Sequence, residues 1–147
     1  MEIINREAKF NYYIEEEIEC GITLLGTEIK SIRDGKANIK DSYAIIKNNE
    51  VYLLNMHINE YKEGNLFNHD PRRTRKLLLH KSEIRKLAKN VSQDGMTLVP
   101  LKLYFLKNKA KILLGLCKGK KNYDKREVIK QRELNREASK LHKYNYK

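Results

Sequence analysis

The sequence predicts a mainly β fold: a small closed antiparallel barrel with added α-helices, followed by a basic C-terminal tail that is disordered when free. Three features predict it. Apolar and polar residues alternate with period two in several runs. Clusters of Asn, Asp, Gly and Lys separate those runs as turns do. Only two short stretches of the body carry apolar residues at helical spacing.

Taken in order, Tyr12 to Leu25 reads as one long bent strand, or as two with a glycine bulge, and it carries the acidic run Glu15, Glu16 and Glu17. Thr27 to Arg33 places Ile29 and Ile32 on one helical face and stops at Asp34-Gly35, where glycine supplies a left-handed end. Tyr43 to Lys47 and Val51 to Ile58 flank Asn48-Asn49, and paired Asn tolerates the positive φ of a two-residue hairpin. Asp70 to Lys76 is a basic loop entering the apolar strand Leu77-Leu78-Leu79. Ser82 to Val91 sets Ile84, Leu87, Ala88 and Val91 on one face of a helix that stops before Asp94-Gly95 and covers one end of a sheet. Thr97 to Leu106 and Lys111 to Cys117, joined at Lys107-Asn108-Lys109, form a second hairpin. Closing such strands into a ring hides their edges, which favours an OB-like barrel. A split α/β sandwich is the alternative.

The chain of 147 residues is long enough for one domain, and at 34% charged it is more polar than most. No apolar run approaches the roughly 20 residues of a membrane span, and the amino terminus has no secretory pattern, so a soluble cytoplasmic protein is expected. Cys20 and Cys117 are the only cysteines, which leaves no disulfide framework or Cys-rich zinc site. His57, His69, His80 and His142 are scattered, and no phosphate-binding glycine loop occurs. No catalytic residue, metal ligand or cofactor is therefore expected. Glu15, Glu16, Glu17, Glu19 and Glu28 are the only candidates for a magnesium nuclease site, but neighbouring strand residues point to opposite faces, so at most half converge.

Charge is the strongest functional signal. The net charge of +12 calls for a polyanionic partner, nucleic acid before membrane. Residues 1–117 carry +5, and residues 118–147 carry +7. The tail's apolar positions, Leu134, Ala138 and Leu141, are too few for a core helix, so residues 119–147 read as a helix-competent tail on a body of residues 1–118. In the body, Arg72, Arg73, Arg75 and Lys76 follow the rigid Pro71 and can clamp phosphates. Nine tyrosines offer stacking platforms for unpaired bases.

The blocks NREAKFNYYIEEEIECGITLLGTEIKSIRDGKANIKDSYA, HDPRRTRKLLLHKSEI, TLVPLKLYF and LLGLCKGKKNYDKRE, in this order from Asn5 to about Arg136, closely resemble the bacterial SsrA-binding protein family, also called small protein B. The resemblance implies an OB-type barrel that binds the tRNA-like domain of transfer-messenger RNA and rescues ribosomes stalled on messages without a stop codon. It implies no catalysis. It also implies a monomer, with the small-subunit decoding centre and mRNA channel as partners and elongation factor Tu joined through the aminoacylated RNA. The family's RNA contacts fall on Asn5, Glu19, Leu78 and Lys111, expected on one surface, with Glu28 as contact or scaffold. Lys111 suits a phosphate, Glu19 a base edge or ribose hydroxyl, and Leu78 a splayed base.

In the tail, the resemblance assigns ribosome contact to Gly119, Lys120, Lys121, Tyr123, Asp124, Lys125 and Arg126. Gly119 lets the chain leave the barrel, Asp124 caps a helix, and Lys125 and Arg126 meet the RNA backbone. Tyr123 stands where members often carry His, which keeps a stacking ring but removes any cationic form near neutral pH. A generic OB-type binder of single-stranded RNA, or an RNA chaperone, is the alternative function.

Overall fold

The computed structural model describes residues 1–63, 68–120, 126 and 129–136. Its elements run β1 (Glu2–Ile4), α1 (Ala8–Asn11), β2 (Tyr12–Ile22), α2 (Gly26–Arg33), β3 (Ala37–Asn38), β4 (Tyr43–Lys47), β5 (Glu50–Leu54), β6 (His57–Ile58), β7 (Arg75–Leu78), α3 (Lys81–Asp94), β8 (Thr97–Leu106) and β9 (Lys109–Gly119). Strands β8, β4, β5, β7, β2 and β9 pair in that order, and β9 returns to β8, so the sheet closes into an antiparallel ring. Closure between β4 and β8 rests on the pair Ala44–Leu98, and further along the same edge of β8 residues 102–104 pair with β1. The expected closed barrel is present, and the split sandwich is not.

Period-two alternation explains how it holds. In β9, Ile112, Leu114 and Leu116 point inward to meet Leu53, Leu77 and Leu103 in the core. In β2, Cys20 and Ile22 face the same core while Glu15, Glu17 and Glu19 face out to solvent and Glu16, on the other face, pairs with Lys86. Ile32 of α2 and Ile84 and Leu87 of α3 are buried in that core. Each such side chain contributes on the order of 1.5–3 kcal/mol by leaving water. A smaller cluster of Ala8, Val99, Leu101 and Cys117 seats α1. Burial pushes Cys20 up to about 12 and Cys117 up to about 11, so both thiols are protonated and unreactive near neutral pH.

Both hairpin turns have positive φ at their two central residues, Asn48 and Asn49 at +52° and +59°, Lys107 and Asn108 at +49° and +64°. That is the turn whose twist matches paired strands, so β9 begins at Lys109, inside the expected turn. α3 ends at Gly95 with φ +64°, a conformation that costs other residues a Cβ clash.

Four expectations shift. Tyr12–Ile22 is a single strand whose irregularity lies between Ile14 and Glu16, not at Gly21, which pairs regularly with both Leu78 and Lys111. The run Val51 to Ile58 breaks at Asn55, φ +62°, into β5 and the short β6. The strand expected at Leu77 to Leu79 begins two residues earlier, at Arg75. β1 and α1 had no counterpart in the sequence reading. In the tail, Arg126 and residues 129–136 are helical and exposed, as a polar helix unable to enter a core must be.

Candidate nucleic-acid interface

Strand register builds one outward face from distant segments. Leu78, Gly21, Lys111, Tyr104 and Glu2 form a row across β7, β2, β9, β8 and β1. Two residues along, and therefore on the same face, run Glu19, Leu113, Lys102 and Ile4. Leu78 is 52% exposed, unusual for a leucine in a strand. It leans over Gly21: a Cβ there would sit 3.2 Å from that of Leu78, so the bare glycine lets the leucine lie across β2. A shallow cavity of about 460 Å³ opens here, bordered by Glu19, Leu78, His80, Glu83 and Lys111.

The chemistry of this face is mixed. The Tyr104 hydroxyl donates to Glu19 Oε2 at 2.5 Å. Desolvation by its surroundings and this bond push the Tyr104 hydroxyl up to about 12, so it remains a donor near neutral pH. Among the described residues, no carboxylate lies within ion-pairing distance of Lys111. An apolar platform, an available cation and an oriented acceptor thus lie within two adjacent rows. These groups suit a base face, a phosphate and a ribose hydroxyl or base amino group.

Asn5 lies outside these two rows. It follows β1 as the chain turns into α1, is only 9% exposed, and donates from Nδ2 to the Pro100 carbonyl at 3.0 Å. Its backbone N–H donates to Leu101 O, and its Oδ1 has no partner among the described residues. Of the four residues expected on one surface, Glu19, Leu78 and Lys111 thus share the outer rows, and Asn5 sits at their margin, where it borders a cavity with Ile4, Lys102 and Leu113.

The basic loop also departs from expectation. Glu28 and Arg75 have no exposed side-chain surface, and Arg75 Nε donates to Glu28 Oε2 at 2.5 Å. Arg75 further donates to the carbonyls of Met56 and Pro71 at 2.8 and 3.2 Å. Arg73 Nη2 donates to Glu28 Oε1 at 2.7 Å and to Thr23 O at 3.2 Å. The other role of Glu28 is local: its Oε1 accepts from the Leu25 N–H at 2.7 Å, which satisfies a free donor at the start of α2. Burial alone would raise the Glu28 carboxyl, but the bonds from Arg73, Leu25 and Arg75 outweigh it and hold the group below its usual 4.5. Glu28 and Arg75 thus form a buried tie between α2 and β7 with no exposed side-chain surface, and the Arg73 guanidinium is engaged in the same knot. Lys76 remains at the surface, 3.3 Å from Glu50.

At the root of the tail, Gly119 ends β9 and Lys120 is pinned to the body. Its N–H donates to Asn11 O and its Nζ to Lys9 O, both at 2.9 Å, with the ammonium 4.9 Å from the Tyr13 ring centre. Arg126 is exposed. Lys121, Tyr123, Asp124 and Lys125 lie outside the described residues. No set of three or more His, Cys, Asp or Glu among the described residues is arranged to hold a metal ion, and none of their helices is long and apolar enough to cross a membrane.

Sequence reasoning did not single out Tyr104 as a functional residue. Its alternation with Lys102 in β8 put it on the outward face, yet nothing in the sequence indicated that it reaches Glu19, 85 positions away.

A closed β-barrel with an apolar, cationic and hydrogen-bonding outer face, in a basic chain, defines a nucleic-acid-binding module. The family described as SmpB protein matches residues 2–144, and the chain belongs to it. An SsrA-binding protein of Clostridium botulinum (strain Eklund 17B / Type B) is 58% identical over 133 residues, 90% of this chain and 85% of that one. One from Staphylococcus aureus (strain JH1) is 56% identical over 142 residues, 97% and 92% of the two chains. Among solved structures, a chain described under "tmRNA-SmpB: a journey to the center of the bacterial ribosome" superposes with a TM-score of 0.70 at 48% identity, covering 87% of this chain and 94% of that one.

Proposed function

We propose that this protein is the adaptor of trans-translation: its barrel binds the tRNA-like domain of transfer-messenger RNA and carries that RNA to stalled ribosomes. The observation that carries this reading is the match to the SmpB family over residues 2–144. The outer face fits it. Leu78, Lys111 and Glu19 offer three different contacts in two rows, and such a face recognises a folded surface rather than any phosphate chain.

The chain acts by binding and makes or breaks no bond itself. Residues 119–147, including Gly119, Lys120, Lys121, Tyr123, Asp124, Lys125 and Arg126, follow the small-subunit mRNA channel from the decoding centre. The protein works as a cytoplasmic monomer, and elongation factor Tu joins through the aminoacylated RNA. The test is salt-dependent affinity of the full chain and of residues 1–118 for a tRNA-like domain, an ordinary tRNA and unpaired RNA of equal length. Both proteins should prefer the tRNA-like domain, while only the full chain supports peptide tagging. Equal binding to all three RNAs would make the protein a generic OB-type RNA binder.

A further inference from the structure

Glu19 and Tyr104 lie on strands that flank β9 on opposite sides, since Glu19 pairs with Leu113 and Tyr104 with Lys111. Neighbouring strands are about 4.8 Å apart, so a bond between these side chains spans roughly 10 Å of sheet. The tyrosine ring therefore crosses the outer face of β9 between Lys111 and Leu113, and its hydroxyl holds Glu19 Oε2 at 2.5 Å. Among the described residues, Glu19 Oε1 has no other partner.

Lys111 is the diagonal neighbour of Glu19 on the same face, a spacing that long side chains close readily. An unrestrained Glu19 would swing to that ammonium. The pair would then neutralise the cation meant for phosphate and the acceptor meant for a hydroxyl or amino group. Instead no carboxylate among the described residues pairs with Lys111, because Glu19 is held on the tyrosine.

We infer that Tyr104 is a positioning residue of the RNA site: its hydroxyl holds the Glu19 carboxylate away from Lys111 and leaves one carboxylate oxygen free to accept from the RNA. This rests on the RNA-binding reading above. Tyr104 is partly exposed and its bond to Glu19 lies at the surface, so Y104F keeps the ring and removes only the donor.

Affinity for the tRNA-like domain of transfer-messenger RNA, measured over a salt series with native, Y104F, E19A, and doubly substituted full-length protein, tests the assignment. Y104F should weaken binding about tenfold, the value of one hydrogen bond to a charged group, with an unchanged melting temperature. In the E19A background the same change should cost less than about twofold, because the group it positions is gone. The salt slope should also become shallower by about one in Y104F, as Lys111 is captured, and return in the double variant, where Lys111 is released.

Equal losses in both backgrounds, or native affinity in Y104F beside a weakened E19A, overturn the positioning role alone. Native affinity in E19A overturns it together with the interface reading.

Discussion

Replacing Glu28 by glutamine keeps the side chain's volume and removes its charge, which leaves Arg75 as a buried cation with carbonyl partners only. Glu28 and Arg75 have no exposed side-chain surface, whereas Arg73 is 31% exposed and can regain water. Removing one member of a buried pair costs about 3–5 kcal/mol, and the partial escape of Arg73 puts E28Q in the lower half of that range. For a chain of this length, each kcal/mol lowers the melting temperature by about 2–4 °C, so a fall of roughly 6–16 °C is expected. Thermal and urea unfolding at pH 7, followed by circular dichroism, measure it.

The pH dependence gives a second check. The Glu28 carboxyl is held below 4.5, so its stabilisation is fully present above that value and is lost as pH falls through the depressed one. The gap between native protein and E28Q should stay constant from neutrality to about pH 5 and narrow only in stronger acid. A variant melting within about 2 °C of native, or a gap already closing near neutrality, would refute the knot as a stabilising element.

Other substitutions separate binding from folding. Leu78→Asp should leave unfolding free energy within about 0.5 kcal/mol of native, since Leu78 is 52% exposed, yet weaken tRNA-like domain binding about tenfold in a filter or fluorescence titration. Lys111→Ala should weaken the tRNA-like domain more than unpaired RNA and reduce the salt slope for the tRNA-like domain by about one. Gly115→Ala places a Cβ 3.0 Å from both Cys117 Sγ and Leu101 Cδ1, and should cost about 1–3 kcal/mol in urea unfolding. A Gly115→Ala protein as stable as native would mean that the two sides yield without strain.

What the sequence revealed was local. Asn48-Asn49 and Lys107-Asn108 are adjacent residues whose turn preference does not depend on the rest of the chain, so both hairpins could be read directly. The alternation in β8 likewise showed Lys102 and Tyr104 sharing a face. The knot could not be read this way, because Glu28 and Arg75 are 47 positions apart and a buried arginine looks in sequence like any other basic loop residue. The setting of Asn5 was hidden for a related reason: a polar residue near the terminus is normally exposed, but here it is buried and the Pro100 carbonyl, 95 positions away, takes its donor. The resemblance placed Glu19, Leu78 and Lys111 on a common surface, and register brings these three together.

The knot also changes how the charge count should be read. The body carries +5, but Arg73 and Arg75 are turned toward Glu28, and Glu15, Glu17 and Glu19 all project outward from β2. The barrel's outer surface is therefore less attractive to an arbitrary polyanion than its composition suggests. Glu19 and Glu83 border the same cavity as Lys111, so a phosphate reaching that ammonium outside a fitting surface meets two carboxylates as well, which should favour a folded partner over an arbitrary polyanion. The tail carries +7, and those of its cations that the structure describes in the helix, Arg126, Lys130, Arg132 and Arg136, are all exposed. Non-specific affinity should then reside mainly in the tail. Truncation to residues 1–118 should flatten the salt dependence for unpaired RNA more than for the tRNA-like domain, and an equal change for both would place the discriminating contacts outside the barrel.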